Sequence, residues 1–327
     1  MGSSPLLILL VLSLSVSSYA KLTTNYYAKS CPQFAQIVRD AVVGKQVATP
    51  TTAAGTLRVF FHDCIVTGCD ASLLIASSAT NKAERDAEMN INLPGDAFDV
   101  ITRAKANLEL TCPGIVSCSD ILAQATRDLI KMVGGPFYEV RLGRKDSLFS
   151  RATDVDGKLP SQQMTMEQIF ALFAARGFSI EELVALLGSH TIGFSHCKEF
   201  ANRIYNNSLT SDVDPTLNPE FAKGLKKLCV NYQKDNSMAA FNDVVTPGTF
   251  DNMYYQNLKR GLGLLTIDQK LLADPRTRPF AERFAANQTD FFNVFARSIE
   301  KLSRLDVKIG KNGEVRHRCD AFNTKQI

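Results

Sequence analysis

Leu57-Arg-Val-Phe-Phe-His62-Asp-Cys-Ile-Val-Thr-Gly-Cys-Asp70-Ala-Ser72 is the stretch that gathers most of the reactive side chains of this 327-residue chain. Arg58 and His62 are four residues apart, and residues at that spacing share one face of a helix. No proline interrupts residues 51–64, so a helix can present a guanidinium beside an imidazole there. The imidazole can move a proton near neutral pH, and the guanidinium can stabilise a developing anion. The pair suits cleavage of an O–O or similar polar bond, although the spacing alone also fits a core histidine with an arginine that reaches the surface.

Oxygen-bearing side chains follow in the same stretch. Asp63, Asp70 and Ser72 are separated by a short loop that contains Gly68. Calcium takes oxygen ligands from carboxylates, hydroxyls and backbone carbonyls, and this loop can supply all three kinds. The ligand spacing of an EF-hand is absent. A helix end followed by a polar turn remains the alternative to a metal site.

Length and composition indicate a large globular protein. Hydrophobic residues make up 45% of the chain, which is enough for one big domain or two lobes. The net charge of +4 and the lack of a dense Lys/Arg run give no argument for a nucleic-acid partner. Tryptophan is absent and phenylalanine numbers 20, so phenylalanine is expected to carry the aromatic packing.

The first twenty residues read as a signal peptide, residues 1–20. Residues 6–14 form an apolar run too short to span a bilayer, and Ser18-Tyr-Ala20 is a small-x-small cleavage site. No other segment is apolar enough to cross a membrane. We therefore expect a secreted, extracellular protein without a membrane anchor.

The eight cysteines of an exported protein are expected to form disulfides, because an even number in an oxidising compartment indicates disulfide bonding. About 105 pairings of eight cysteines are possible, so the residues alone do not choose among them. No Cys-x₂-Cys pair supports a zinc site. Two sequons, at Asn206 and Asn287, are candidate glycosylation sites.

Capping sequences predict several helix starts. Ser30 is predicted as the N-cap of a helix that runs to about Val47. Further starts are predicted by Ser117-Cys-Ser-Asp120, Thr165-Met-Glu-Gln168 and Ser179-Ile-Glu-Glu182. The last of these begins an apolar helix that ends at His190.

The Leu57–Ser72 stretch resembles the distal segment of the plant secretory (class III) haem peroxidases. The similarity extends from Asn25-Tyr-Tyr-Ala-Lys-Ser-Cys-Pro32 to Arg318-Cys-Asp-Ala-Phe322 and includes the order of all eight cysteines. It implies an all-α fold with minor β, in which residues 21–327 form two helical lobes that hold one haem b and two calcium ions. A monomer is expected.

The resemblance assigns roles around the haem. His190, at the end of its apolar helix, is implied to be the axial iron ligand, although that segment alone also fits a buried histidine with a backbone partner. Asp268 is implied to accept the other N–H of His190. On the opposite side His62 and Arg58 are implied to cleave hydrogen peroxide, with Asn90 as the partner of His62. The other two histidines of the chain, His196 and His317, are interpreted as surface residues.

The remaining implied features are metal ligands, substrate contacts and disulfides. Phe61 is implied to limit access to the iron, and Pro160 to lie at the mouth of the substrate channel. The first calcium site is implied to involve Asp63, Val66, Gly68, Asp70, Ser72 and Glu84, and the second Thr191, Asp243, Thr246, Thr249 and Asp251. The implied disulfides are Cys31–Cys112, Cys64–Cys69, Cys118–Cys319 and Cys197–Cys229. Asp120 and Arg144 are implied to form a buried structural ion pair.

The chain departs from the family pattern at five positions near these sites. They are Ile65, Thr67, Leu187, Ser189 and Ile267. Leu187 and Ser189 lie close to the implied iron ligand and can change its potential or the fit of the pocket floor. None of the five removes an implied ligand.

The resemblance therefore implies a secreted peroxidase that reduces hydrogen peroxide and oxidises small phenolic donors in one-electron steps, in the plant cell wall. A secreted haem protein without turnover is one alternative, but it predicts the loss of Arg58, His62 or His190, and all three are present. A hydrolase that uses Ser189 and His190 is another. Adjacent residues do not form the usual serine–histidine pair, and no Gly-x-Ser-x-Gly elbow surrounds them.

Overall fold

A computed structural model describes residues 22–323; the predicted signal peptide, residues 1–20, lies outside this part of the chain. Twelve α-helices and one short two-stranded sheet make up its regular structure, which confirms the prediction of a mostly helical fold with minor β. The helices are α1 Phe34–Ala48, α2 Thr52–Val66, α3 Gly95–Thr111, α4 Cys118–Met132, α5 Met166–Ala174, α6 Ile180–Leu187, α7 Ala201–Ile204, α8 Pro219–Leu228, α9 Met253–Lys259, α10 Thr266–Ala273, α11 Arg278–Ala286 and α12 Gln288–Leu302. The strands β1 Phe194–His196 and β2 Ala239–Phe241 are antiparallel.

Helix α2 is the central element of the first half of the structure. It packs against α3 and α4, and twelve of its fifteen residues are buried. A Cβ at Gly55 would lie 2.5 Å from the ring of Pro94, so glycine allows α2 to pass close to the segment before α3. The three α2 residues that are not buried are Ala54, Arg58 and Phe61. Their spacing of four and three residues places them on one face, which is the face left open for the site.

The second half is built on an aromatic core. Phe250, Phe284, Phe291 and Phe295 are fully buried and lie with ring centroids 4.8–5.9 Å apart where they meet. These rings lie between α6, α9, α11 and α12 and support the chain on which His190 stands. Phenylalanine carries this packing, as the absence of tryptophan predicts.

Local capping explains where the helix before His190 begins. Ser179 accepts a hydrogen bond from the backbone of Glu182, whose side chain returns to the backbone of Ser179, so α6 starts with the predicted capping box. Thr165 and Gln168 form the same arrangement at α5. At α4 only half of the prediction holds: Ser117 caps the backbone of Asp120, but the Asp120 carboxylate binds other groups.

The start of α1 differs from the prediction. Helix α1 begins at Phe34 with Gln33 in the N-cap position, and the residues before it form turns. Ser30 is therefore not an N-cap. The buried Cys31 is held by a disulfide to Cys112 at the end of α3. This tertiary link, rather than local capping, determines the path of the chain into α1.

Four disulfides join the chain, and their pairing agrees with the one implied by the resemblance. They are Cys31–Cys112, Cys64–Cys69, Cys118–Cys319 and Cys197–Cys229. The last one lies in a second, smaller apolar cluster with residues such as Phe200 and Leu225. Among residues 22–323, no helix is both long and apolar enough to cross a membrane.

Candidate active site

The open face of α2 carries a chain of hydrogen bonds that begins at Arg58. Its Nε lies 3.4 Å from Nε2 of His62, and Nδ1 of His62 lies 2.7 Å from Oδ1 of Asn90. The Asn90 amide is oriented because its Nδ2 donates to the backbone carbonyl of Glu84 at 2.8 Å. Helix α2 thus supplies the first two residues, and an irregular segment 28 positions later supplies the third.

These neighbours select one tautomer of His62. Oδ1 of Asn90 can only accept, so Nδ1 of His62 carries the proton and donates it. Nε of Arg58 can only donate, so Nε2 of His62 must offer its lone pair. His62 is 7% exposed, and burial together with the positive charge of Arg58 lowers its pKa to about 3. The imidazole is therefore neutral at physiological pH, and its unprotonated Nε2, which faces the Arg58 N–H at 3.4 Å, is the basic atom.

The second histidine of the site lies just beyond α6. The helix ends at Leu187, and His190 lies in the short 3₁₀ turn that follows, rather than in the helix itself. Nδ1 of His190 lies 2.8 Å from Oδ1 of Asp268, which is fully buried at the start of α10. No described residue hydrogen-bonds to Nε2 of His190, so that nitrogen is available to a ligand.

The sequence of the chain is similar to those of known enzymes. A model of the family described as Peroxidase matches residues 38–287. The chain is 60% identical to Peroxidase 41 of Arabidopsis thaliana, over 94% of this chain and 92% of that protein. It is 56% identical to Peroxidase 65 of the same plant, over 100% and 98% of the two chains, and 56% identical to Peroxidase 6, over 93% of each. The chain belongs to the peroxidase family.

Family membership confirms the resemblance to the class III peroxidases and the fold that it implies. This peroxidase is an enzyme that acts on hydrogen peroxide and a donor substrate, and its family implies haem iron. The site fits such a group. His190 has Nδ1 held by Asp268 and Nε2 available, whereas both ring nitrogens of His62 face a neighbour, Asn90 at Nδ1 and Arg58 at Nε2. The partly exposed side chains near the two histidines include Phe61 and Leu187.

The first group of predicted calcium ligands comes together around the loop after α2. Asp63, Asp70, Ser72 and Glu84 are all 0% exposed. Oδ2 of Asp70 and Oε2 of Glu84 are buried without a hydrogen-bond partner. Burial raises the pKa of the carboxyls of Asp63, Asp70 and Glu84. The charge of Asp70 raises the pKa of Asp63 further, and the charge of Asp63 helps to raise that of Glu84 to about 9. Buried, unpartnered carboxylate oxygens are what a bound cation would neutralise.

The backbone of this loop explains why Gly68 follows α2. Gly68 has a φ of +106°, a conformation that side chains rarely adopt, and a Cβ there would lie 2.6 Å from the carbonyl oxygen of Asp306. Val66 is the last residue of α2, so its carbonyl has no following turn of helix to bind. Thr67, one of the departures from the family pattern, directs its hydroxyl to within 3.2 Å of the Ser72 hydroxyl.

The second group of predicted calcium ligands is brought together in part. The Thr191 hydroxyl lies 3.3 Å from Oδ1 of Asp251, and the Thr246 hydroxyl lies 3.3 Å from Asp243 and 3.2 Å from Asp251. Thr249 is exposed; its backbone N–H donates to the carbonyl of Thr246, and the structure gives no contact of its side chain with the other four. Four of the five predicted residues thus converge.

Carboxylates and imidazoles do not form a metal site by themselves here. Within residues 22–323 no group of three or more His, Cys, Asp or Glu side chains is arranged to hold a metal ion. Both candidate calcium sites therefore depend on hydroxyl and backbone carbonyl oxygens in addition to carboxylates, which is compatible with calcium and disfavours zinc.

The other predicted positions are Phe61 and Pro160, implied to control access, and the two candidate glycosylation sites. Phe61 lies on the open face of α2, with its ring centroid 6.1 Å from that of Phe173, and Pro160 is half-buried in the segment before α5. Asn206 and Asn287 are both exposed. Asn287 also caps α12 through its side-chain oxygen, which leaves the amide nitrogen available for a glycan.

Two residues that contact the site, Tyr254 and Lys308, are not predicted from the sequence. Tyr254 donates a hydrogen bond to Asp268 at 2.9 Å, and Nζ of Lys308 lies 3.6 Å from Oδ2 of Asp70. Tyr254 is 14 positions away from Asp268, and Lys308 is far from Asp70 in the chain, so no local spacing indicates either contact.

Proposed function

We propose that this enzyme reduces hydrogen peroxide with His62 as its base and Arg58 as its electrostatic stabiliser, and oxidises phenolic donors in one-electron steps. The main support for this proposal is the tautomer of His62. Asn90 holds the proton on Nδ1, so Nε2 can take a proton from peroxide and return it to the leaving oxygen. The permanent charge of Arg58, whose Nε lies 3.4 Å from Nε2, stabilises the negative charge that develops as the O–O bond breaks.

The overall reaction consumes one peroxide, two protons and two electrons and yields two water molecules. Each electron comes from one phenol, which leaves as a phenoxyl radical after losing a proton. Haem b, when bound, supplies the iron centre through which these electrons pass. Nε2 of His190 would hold that iron, and Asp268 orients the imidazole by accepting its Nδ1 proton.

Access to this centre would be shaped by Phe61 and Pro160. The partly exposed ring of Phe61 lies next to His62, with their ring centroids 6.1 Å apart, and would exclude molecules much larger than peroxide from that side. Small phenols would instead meet the haem at its edge, near Pro160. Because a one-electron donor need not reach the iron itself, an edge contact is sufficient.

The proposal includes two calcium ions. Asp63, Asp70, Ser72 and the carbonyls of Val66 and Gly68 would hold the first, supported by Glu84. Thr191, Asp243, Thr246, Thr249 and Asp251 would hold the second. The first assignment is supported by the buried oxygens Oδ2 of Asp70 and Oε2 of Glu84, neither of which has a hydrogen-bond partner. The first site follows directly after His62, and the second begins at the residue after His190, so both ions would stabilise the catalytic geometry.

Residues 1–20 are proposed to be a signal peptide and residues 21–327 the haem peroxidase domain, which acts as a secreted monomer in the cell wall. Four disulfides support an oxidising compartment. Exposed Asn206 and Asn287 are the proposed glycan sites. Neither a nucleic acid nor a membrane is a proposed partner.

The test is the absorption spectrum of purified haem-loaded protein before and after one equivalent of hydrogen peroxide, followed by a phenol. Wild-type protein should change its haem spectrum within the mixing time and recover it when phenol is added. His62→Ala should keep the haem and react more slowly by orders of magnitude. His317→Ala is the matched control, since His317 is exposed and faces Glu109, and should behave as wild type. A wild-type haem spectrum that ignores peroxide would contradict the proposed function.

A further inference from the structure

The carboxylate of Asp268 binds more than the histidine. Its Oδ1 accepts from Nδ1 of His190 at 2.8 Å and from the hydroxyl of Tyr254 at 2.9 Å, and its Oδ2 accepts from the backbone N–H of Leu265 at 3.1 Å. Asp268 is 0% exposed and Tyr254 is 1% exposed, so no bulk water competes for these bonds. The two side-chain donors share a single oxygen atom.

Sharing an oxygen has an electronic consequence. A carboxylate has no proton to give, so the Tyr254 hydroxyl must be the donor. Each proton that approaches an anionic oxygen draws electron density from it and makes it a weaker acceptor for a second donor. The bond from His190 to Asp268 is therefore weaker with the Tyr254 hydroxyl present than without it. A weaker bond leaves the His190 imidazole less anionic, and a less anionic imidazole stabilises ferric iron less.

We propose that Tyr254 is a positioning residue that sets the donor strength of His190 through Asp268, and thereby raises the reduction potential of the iron. The proposal rests on the proposed function, in which His190 binds haem iron. The ring of Tyr254 is nearly perpendicular to that of His190, with centroids 6.2 Å apart, and its hydroxyl donates to Asp268. Tyr254 therefore acts on His190 through the shared oxygen of Asp268.

The chain contains a close control. Tyr255 is the next residue, is equally buried, and packs against Tyr254 with ring centroids 4.9 Å apart. Its hydroxyl donates to the backbone carbonyl of Val184 at 2.8 Å instead of to Asp268. Tyr254→Phe and Tyr255→Phe therefore each delete one buried hydroxyl and one hydrogen bond, but only the first deletes a bond to the carboxylate.

The experiment compares haem-loaded wild type, both phenylalanine variants and Asp268→Asn. The midpoint potential of the ferric/ferrous couple is measured by spectroelectrochemistry, and the iron–histidine stretching frequency of the ferrous protein by resonance Raman. Tyr254→Phe should move the potential to a more negative value and raise the stretching frequency. Tyr255→Phe should match wild type, and Asp268→Asn should shift both readings in the direction opposite to Tyr254→Phe.

An unchanged potential in Tyr254→Phe, a positive shift, or an equal shift in both phenylalanine variants would overturn the inference while leaving the proposed function intact. If Asp268→Asn also changes neither reading, Asp268 does not set the donor strength of His190, and the inference falls with that proposed role of Asp268. Should Tyr254→Phe not fold, 3-fluorotyrosine at position 254 provides the reverse test. Its more acidic hydroxyl is a stronger donor, so the potential should move to a more positive value, and a negative shift would refute the inference.

Discussion

Asn90 offers the sharpest test of the peroxide site, because its Oδ1 is the acceptor that holds the proton of His62 on Nδ1. Asn90→Leu keeps a similar side-chain volume and removes that acceptor. His62 then has a buried N–H without a partner, or it moves its proton to Nε2. The second outcome places the proton on the atom that must act as the base.

The magnitude follows from the bond that is lost. A buried donor left without its acceptor costs about 1–3 kcal/mol. If that free energy now favours the unreactive tautomer, against the Arg58 N–H that still faces Nε2, the reactive fraction of His62 falls by up to roughly 5- to 150-fold, at about 1.4 kcal/mol for each factor of ten. The second-order rate constant for the reaction with hydrogen peroxide should fall by the same factor, while haem binding at His190 is unaffected.

Stopped-flow mixing with peroxide over a range of pH measures this constant. Asn81→Leu is the control, because the Asn81 amide also donates to a backbone carbonyl, that of Ser150, but does not contact His62. Asn90→Asp retains an acceptor and adds a negative charge that favours imidazolium. It should raise the pKa of His62 from about 3 and move the acid limb of the pH profile to higher pH. Less than a twofold loss in Asn90→Leu, with an unchanged pH profile, would refute the argument.

Three further predictions concern the supports of the site. Burial and the charge of Asp63 raise the pKa of Glu84 to about 9, so Glu84 is protonated in calcium-free protein and its contribution to the free energy of unfolding is lost as pH rises from about 5 to 9. Calcium binding should therefore release protons, and the binding enthalpy measured by calorimetry should differ between two buffers of different ionisation enthalpy. Equal enthalpies in the two buffers would contradict this. Asp120→Asn leaves Arg144 buried without its partner, now 2.9 Å away, and should lower the free energy of unfolding by about 3–5 kcal/mol in urea titrations; an unchanged midpoint would count against the ion pair. Replacing Cys197 and Cys229 with serine removes a disulfide that links residues 32 positions apart and should lower the free energy of unfolding by about 3–4 kcal/mol. The measurement is the fall in melting temperature relative to the wild-type protein.

Much of the fold was predictable because its signals are local. The capping boxes before α5 and α6 act over four residues, and the structure shows both. The spacing of Arg58 and His62 likewise needs only one turn of helix, and α2 provides it. Where the local signal competed with a long-range constraint it failed: Ser30 has a good capping residue type, but the buried disulfide of Cys31 controls that segment.

The resemblance to a family supplied what local patterns could not. Cys64 and Cys69 are only 5 positions apart, but the other three disulfides, the partnership of His62 with Asn90 and that of His190 with Asp268 join residues that are 28 to 201 positions apart. The structure has these contacts. The buried ion pair of Asp120 and Arg144 is confirmed as well.

By itself the sequence determined the helical character of the chain, the capped helix that leads to His190, and the arginine–histidine face of α2, because each depends on residues within a few turns of one another. The tertiary structure alone decided which oxygen of Asp268 receives both His190 and Tyr254, and that Nζ of Lys308 lies 3.6 Å from Oδ2 of Asp70. Such contacts depend on how α9, α10 and the segment after α12 pack. Packing angles and side-chain directions are set by the whole core, and residue spacing along the chain carries no record of them.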